Sequence, residues 1–71
     1  MLTVSEKITI IAKRKGITKT MLAESTGQSR QNLSNKIGRN NYTLAQLQDI
    51  AQALGCSVDV VFTDNETGET V

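Results

Sequence analysis

The chain has 71 residues, which is enough for one domain with one small hydrophobic core. It contains a single cysteine, Cys56, and no histidine, which excludes an internal disulfide and a His/Cys metal site. Only two residues are aromatic, too few for the base-stacking surfaces of single-strand and RNA-binding proteins, and no apolar run approaches the ~20 residues of a membrane span.

The formal net charge of +1 conceals an uneven distribution of charge along the chain. Residues 1–40 contain all eight lysines and arginines and two acidic residues, whereas residues 41–71 contain five acidic residues and no base. This asymmetry indicates one face that attracts a polyanion and another that turns away from it. The N-terminus also lacks the basic-then-apolar layout of a signal peptide, so we expect a cytoplasmic protein.

Four helices are predicted from apolar periodicity and from the residues that flank each segment. They cover residues 4–15, 19–26, 30–37 and 44–54. Each follows a hydroxyl residue suited to an N-cap, namely Thr3, Thr18, Ser29 and Thr43. Each precedes a glycine that favours a helix end, namely Gly16, Gly27, Gly38 and Gly55. Glu6 and Gln46 stand where the first and fourth helices would complete capping boxes.

The third helix differs from the other three in having little apolar surface. Only Leu33 and Ile37 are apolar, and they lie four residues apart on one face. The rest of the segment is rich in Asn, Ser and Gln, which form isolated helices poorly. We therefore expect packing to hold this helix in place, which leaves its polar face available for binding.

The C-terminal segment changes from helical to alternating periodicity. In residues 57–63, Val58, Val60 and Phe62 alternate with other residues, and β-branched side chains dominate, which predicts a strand. Residues 64–68 have turn composition, and residues 69–71 can return as a second short strand. A fifth short helix over residues 58–62 is the alternative. We divide the chain into a helical domain, 1–56, and a C-terminal extension, 57–71.

Residues 19–37 have the spacing of a helix-turn-helix. Ala23 is small enough for a close helix crossing, Gly27 follows four residues later at the turn, and Leu33 anchors the second helix six residues beyond. In such a unit the first helix lies across the phosphates and the second enters the major groove.

These residues bring the chain close to a known family. Residues 4–62 resemble the DNA-binding domains of the Cro/phage-repressor, or Xre-type, family through the segments KRKGIT, AESTGQSRQNLS and TLAQLQDIAQALGCS. The resemblance implies a mainly α, compact, four-helix lambda-repressor-like domain, here with a short C-terminal β-strand or hairpin. Two departures are visible. Lys36 occupies a position that is often apolar in the family, and a strand-like segment replaces the usual fifth helix.

The predicted base-contacting residues lie on the third helix, opposite Leu33 and Ile37. That face carries Gln31, Asn35, Asn32 and Ser34. Amide side chains can bond adenine bidentately, and arginine can do so with guanine. By resemblance, the family's base-contacting positions fall on Arg30, Gln31 and Asn35.

The predicted phosphate ligands flank this helix in sequence. Lysine, arginine, hydroxyl and amide side chains near helix starts and turns are the groups that proteins use for this purpose. The candidates are Lys19, Lys36, Arg39, Thr18, Gln28, Ser29, Asn40, Asn41 and Tyr42.

We therefore predict a transcriptional repressor or regulator that binds double-stranded DNA at a palindromic operator as a homodimer. A chain of this size makes few DNA contacts alone, and Val58, Val60 and Phe62 are the predicted dimerisation residues. We expect no cofactor and no catalytic activity, because the sequence offers no histidine and no nucleophile beside a base. Two alternatives stay open: an antitoxin that also binds a protein partner, and an interaction module without a DNA role.

Overall fold

The computed structural model describes residues 1–71 and contains four helices joined by short turns. The helices are α1 (Val4–Lys15), α2 (Lys19–Ser25), α3 (Arg30–Arg39) and α4 (Leu44–Ala53). Every predicted N-cap is confirmed, since each hydroxyl accepts a hydrogen bond from the backbone N–H three residues on. Both capping boxes form, with Glu6 on α1 and Gln46 on α4. None of the helices is long and apolar enough to cross a membrane.

The helix ends agree with the sequence except at α3. Gly16 and Gly27 adopt the left-handed conformation at φ 67° and 68°, which a residue without Cβ reaches at no steric cost. The prediction that Gly38 stops α3 is wrong, because α3 continues through it to Arg39. Asn40 takes the left-handed position instead, at φ 50°, and asparagine is the residue other than glycine that most readily does so.

The core lies where the helices meet, and it is small. It consists of six buried apolar side chains: Ile8, Leu22, Ala23, Leu33, Ile50 and Leu54. The predicted anchor Leu33 is among them, and all six lie within the four helices predicted from apolar periodicity. Val4 and Leu44, the first residues of α1 and α4, are exposed. Burial is thus concentrated around α2 and Leu33, which fixes α3 against the rest of the domain.

Lys15 connects the end of α1 to the end of α4. Its Nζ donates a hydrogen bond to the Leu54 carbonyl oxygen, one of the carbonyls that a helix C-terminus leaves unpaired. The positive charge therefore complements the dipole of α4. Cys56, a half-buried free thiol, lies beside this contact.

The C-terminal extension forms a small antiparallel hairpin only at its distal end. Phe62 and Val71 exchange two backbone hydrogen bonds of 2.9 Å, and the Asp64 N–H donates to the Glu69 carbonyl at 2.8 Å. Residues 57–61 lie outside the ladder, so the predicted strand over 57–63 is confirmed only where a returning segment is present to pair with it. The alternative helix over 58–62 does not form.

Candidate nucleic-acid interface

Helix α3 is anchored by one side and exposes the other. Leu33 has 0 % of its surface exposed, and Ile37 packs against the same core. Four of the five predicted base-contacting residues are exposed, namely Arg30, Gln31, Asn32 and Asn35. Ser34 is half-buried and therefore presents less surface to a ligand. The apolar anchor thus determines which polar side chains point away from the protein.

Gln31 and Asn35 are hydrogen-bonded to each other on this face. The Gln31 Nε2 donates to the Asn35 Oδ1 at 3.3 Å, across one helical turn. The bond leaves the Gln31 Oε1 free to accept and the Asn35 Nδ2 free to donate. Adenine presents one acceptor and one donor in the major groove, so the pair offers complementary groups on neighbouring side chains.

Lys36 and Gln28 form part of a polar chain across the turn between α2 and α3. The Lys36 Nζ donates to the Gln28 Oε1 at 2.9 Å, and the Gln28 Nε2 donates to the Thr26 Oγ1 at 2.8 Å. Because the acceptor is a neutral amide, the bond pairs Lys36 with no acidic group, and two ammonium hydrogens remain for another acceptor. Lys36, which occupies a position that is often apolar in the family, thus helps to connect the two helices of the motif.

A polar concavity of about 390 Å³ opens between α3 and the start of α4. No apolar residue lines it, and its two charged residues, Lys36 and Arg39, are both basic. The other lining residues are Asn32, Asn35, Asn41, Thr43 and Gln46. The structure thus brings predicted base-contacting and phosphate-contacting residues to one surface. Thr43 and Gln46 were not predicted there, because the sequence marked them only as a capping box.

Three further predicted phosphate ligands, Thr18, Lys19 and Ser29, lie at the starts of α2 and α3. Thr18 and Lys19 border a second concavity, of about 240 Å³, that also includes Lys13. Thr18 and Ser29 each accept a backbone hydrogen bond as N-caps, and each hydroxyl can still donate a hydrogen bond to an anion. The sequence did not single out Lys13 as a phosphate ligand, because its position on the same concavity as Lys19 depends on the fold.

Asn40 and Tyr42 are engaged by a residue that the sequence did not single out. The Ser5 N–H donates to the Asn40 Oδ1 at 2.9 Å, and the Ser5 Oγ lies 2.7 Å from the Tyr42 hydroxyl. Asn40 therefore has only its NH₂ group left for a phosphate. Ser5 carried no sequence signal, because a serine in the first turn of a helix is usually an exposed residue.

Comparison with protein-family models matches residues 7–65 to the Cro/C1-type HTH DNA-binding domain. The matched region contains α2, α3, α4 and most of α1, which is well over half of the chain. It includes every predicted base-contacting and phosphate-contacting residue. No curated protein and no solved structure shows significant similarity to the chain.

Proposed function

Because this chain belongs to the Cro/C1-type helix-turn-helix DNA-binding family, we propose that it is a transcriptional repressor or regulator that binds a palindromic operator through α3. The observation that carries the proposal is the exposed Gln31–Asn35 pair beside a concavity that is lined by two basic residues and no acidic residue. Amides on the outer face of α3 supply base contacts, and flanking cations supply phosphate contacts.

The proposed division of roles follows from position. Gln31 and Asn35 contact an adenine-containing step, and Arg30, in the first turn of α3, contacts guanine. Asn32 and Ser34 are secondary base contacts. Lys36, Arg39 and Asn41 contact phosphates on one side of α3, and Lys19 contacts them at the start of α2, with the neutral groups around them assisting.

The test is binding to the protein's own upstream DNA and to random duplex, measured by fluorescence anisotropy at two salt concentrations. Wild type should prefer one site, and Gln31→Ala should weaken binding to that site by about 1–3 kcal/mol. Lys19→Ala should weaken binding to all DNA alike and flatten the salt slope by about one. Gln48→Ala is the matched control, since Gln48 is an exposed glutamine on α4 and does not line the concavity.

Either of two results would contradict the proposal. Binding to upstream DNA no tighter than to random duplex excludes an operator function. Site-specific binding that Gln31→Ala and Asn35→Ala leave intact excludes α3 as the surface that recognises bases, and the search would turn to another surface of the protein.

We also propose that the protein binds its operator as a homodimer formed through the C-terminal hairpin. The backbone N–H and C=O groups of Thr63, in the first strand of the hairpin, make no backbone hydrogen bond, and neither do those of Val61 just before it. Phe62 is 76 % exposed. An open strand edge pairs readily with a second copy, and pairing across a two-fold axis satisfies both edges at once.

This dimer differs in detail from the sequence-based prediction. Val58 and Val60 line a groove of about 400 Å³ with residues of α1 and α4, so both face the helical domain as well as solvent. Phe62 keeps its predicted role in the proposal, and Val61 joins it. Should the hairpin instead bind a different protein, as an antitoxin's would, the isolated chain would be monomeric.

A further inference from the structure

Ser5 is the one buried polar side chain in the protein, at 9 % exposure. Its Oγ lies 2.7 Å from the Ile37 carbonyl oxygen, 3.0 Å from the Asn40 Oδ1 and 2.7 Å from the Tyr42 hydroxyl oxygen. Its backbone N–H donates to the Asn40 Oδ1. A residue at the start of α1 is thus bonded to the end of α3 and to the loop that follows it.

The hydroxyl has one proton, which limits how these contacts can operate together. When Ser5 donates to the Ile37 carbonyl, the Tyr42 hydroxyl can donate to the Ser5 Oγ. The Asn40 Oδ1 is held throughout by the Ser5 backbone N–H. The arrangement therefore satisfies every buried polar atom, and no buried side-chain oxygen or nitrogen lacks a partner.

The position of this network relative to the DNA-facing concavity gives it a further role. Asn40 is the left-handed residue that ends α3, and its neighbours Arg39 and Asn41 both line the concavity. Ser5 itself does not line it. Ser5 therefore holds the loop from the side away from the ligand, between two side chains that face it.

We propose that Ser5 is a positioning residue for DNA binding, which fixes the α3–α4 loop so that Arg39 and Asn41 meet the DNA backbone without further ordering. The inference rests on the proposed function. Holding a loop in its bound conformation raises affinity because the ordering cost is met before binding. Releasing it should weaken binding by roughly three- to tenfold, the cost of immobilising one side chain.

The experiment compares Ser5→Ala with Thr9→Ala in the full chain. Thr9 is one turn further along α1, and its hydroxyl bonds only the Ser5 carbonyl within the same helix, so it controls for removing a helix hydroxyl. Ser5→Ala should lose roughly three- to tenfold in operator affinity at a temperature where both variants are fully folded. Thr9→Ala should bind as wild type does.

A double-mutant cycle distinguishes positioning from general destabilisation. If Ser5 acts through the loop, Ser5→Ala should cost little further affinity in an Arg39→Ala background. Equal losses in both backgrounds would overturn the proposal, as would unchanged affinity in Ser5→Ala.

Amide hydrogen exchange separates failure of this inference from failure of the proposed function. The Asn40 and Asn41 amides donate to the Ile37 and Lys36 carbonyls, and Ser5→Ala should accelerate their exchange relative to Gly27 and Gln28 in the other turn. Unchanged exchange overturns the positioning role even when the operator is bound. Accelerated exchange in a protein whose wild type shows no operator preference would leave the loop assignment standing and remove the DNA function.

Discussion

Leu33 and Gln31 lie two residues apart on α3 but face opposite sides of the helix. Leu33 is fully buried and Gln31 is exposed, so a single helix carries both a core contact and a proposed ligand contact. The helix has little other apolar surface, so Leu33, with Ile37 packed beside it, holds the whole polar face in place. Loss of that leucine should therefore cost more than its size alone suggests.

We predict that Leu33→Ala lowers the free energy of unfolding by about 2–5 kcal/mol, because it removes buried contacts and leaves a cavity. Leu44→Ala is the matched control. Leu44 is 46 % exposed at the start of α4, and its truncation should change stability by less than about 0.5 kcal/mol. Urea unfolding followed by circular dichroism measures both. Similar losses in the two variants would show that Leu33 is not the anchor.

At the residue scale, the sequence predicted what depends on near neighbours and missed what depends on tertiary contact. The four N-caps and the burial of Leu33 follow from residues within one or two turns. The Ser5 bonds join residues 32 to 37 positions apart, and the Lys15 bond to Leu54 spans 39. Nothing in local periodicity identifies such partners, because hydroxyl and ammonium groups bond any acceptor that the fold brings near.

The elements show how similar glycines can have different structural roles. Gly27 has a left-handed φ in the turn between α2 and α3, whereas Gly38 lies inside α3 with a helical backbone. A Cβ on Gly38 would meet no atom within 4 Å. The sequence rule that glycine ends a helix failed here, because Asn40 supplies a left-handed residue two positions later and Ser5 bonds its side chain.

We predict that Gly38→Ala raises the free energy of unfolding by about 0.5–1 kcal/mol, since alanine restricts the unfolded chain and fits the helix. Gly27→Ala, the same change in a left-handed backbone, should lower it by about 1 kcal/mol or more. Thermal unfolding of the two variants gives the signs. A destabilising Gly38→Ala would mean that α3 does not extend through residue 38 in solution.

The capping box of α1 predicts a pH dependence of stability. A hydrogen bond from the Thr3 backbone N–H, assisted by the Thr3 side chain, lowers the pKa of Glu6 below its usual range. A lowered folded pKa means that the stabilisation is present above the unfolded pKa and is lost as pH falls through the folded value. Wild type should therefore exceed Glu6→Gln in melting temperature at about pH 6, and the difference should shrink as the pH falls below about 4, the usual range of a glutamate. A difference that persists at the acidic end would contradict this assignment.

The whole molecule extends 43 Å along its longest axis and 22 Å and 21 Å along the others. Its hairpin combines exposed apolar residues with a strand edge that has no partner. The sequence predicted a strand over residues 57–63 that could pair with residues 69–71. The predicted strand is too long, because a strand needs a neighbour along its whole length and residues 69–71 reach only residues 62–64. The proposed dimer would supply that neighbour.

We predict that Val61→Lys weakens the homodimer by at least about tenfold, because two-fold pairing would bring the two added charges together. Asn65→Lys adds the same charge in the hairpin turn, away from the outer edge, and should leave the dimer intact. Light scattering after gel filtration over a range of concentrations measures both. An equally stable dimer after truncation beyond Val60 would place the interface elsewhere and still preserve the groove lined by Val58 and Val60.

The side chains that fold α3 and the side chains that face outward from it do not overlap. Exchanging Gln31, Asn32 or Asn35 leaves Leu33 and Ile37 in place, and exposed substitutions of this kind usually change stability by less than about 0.5 kcal/mol. A lineage carrying this domain can therefore drift from one target sequence to another without first acquiring a compensating stabilising mutation. The same independence makes these three positions suitable for randomised libraries in which new DNA specificities are selected on an unchanged scaffold.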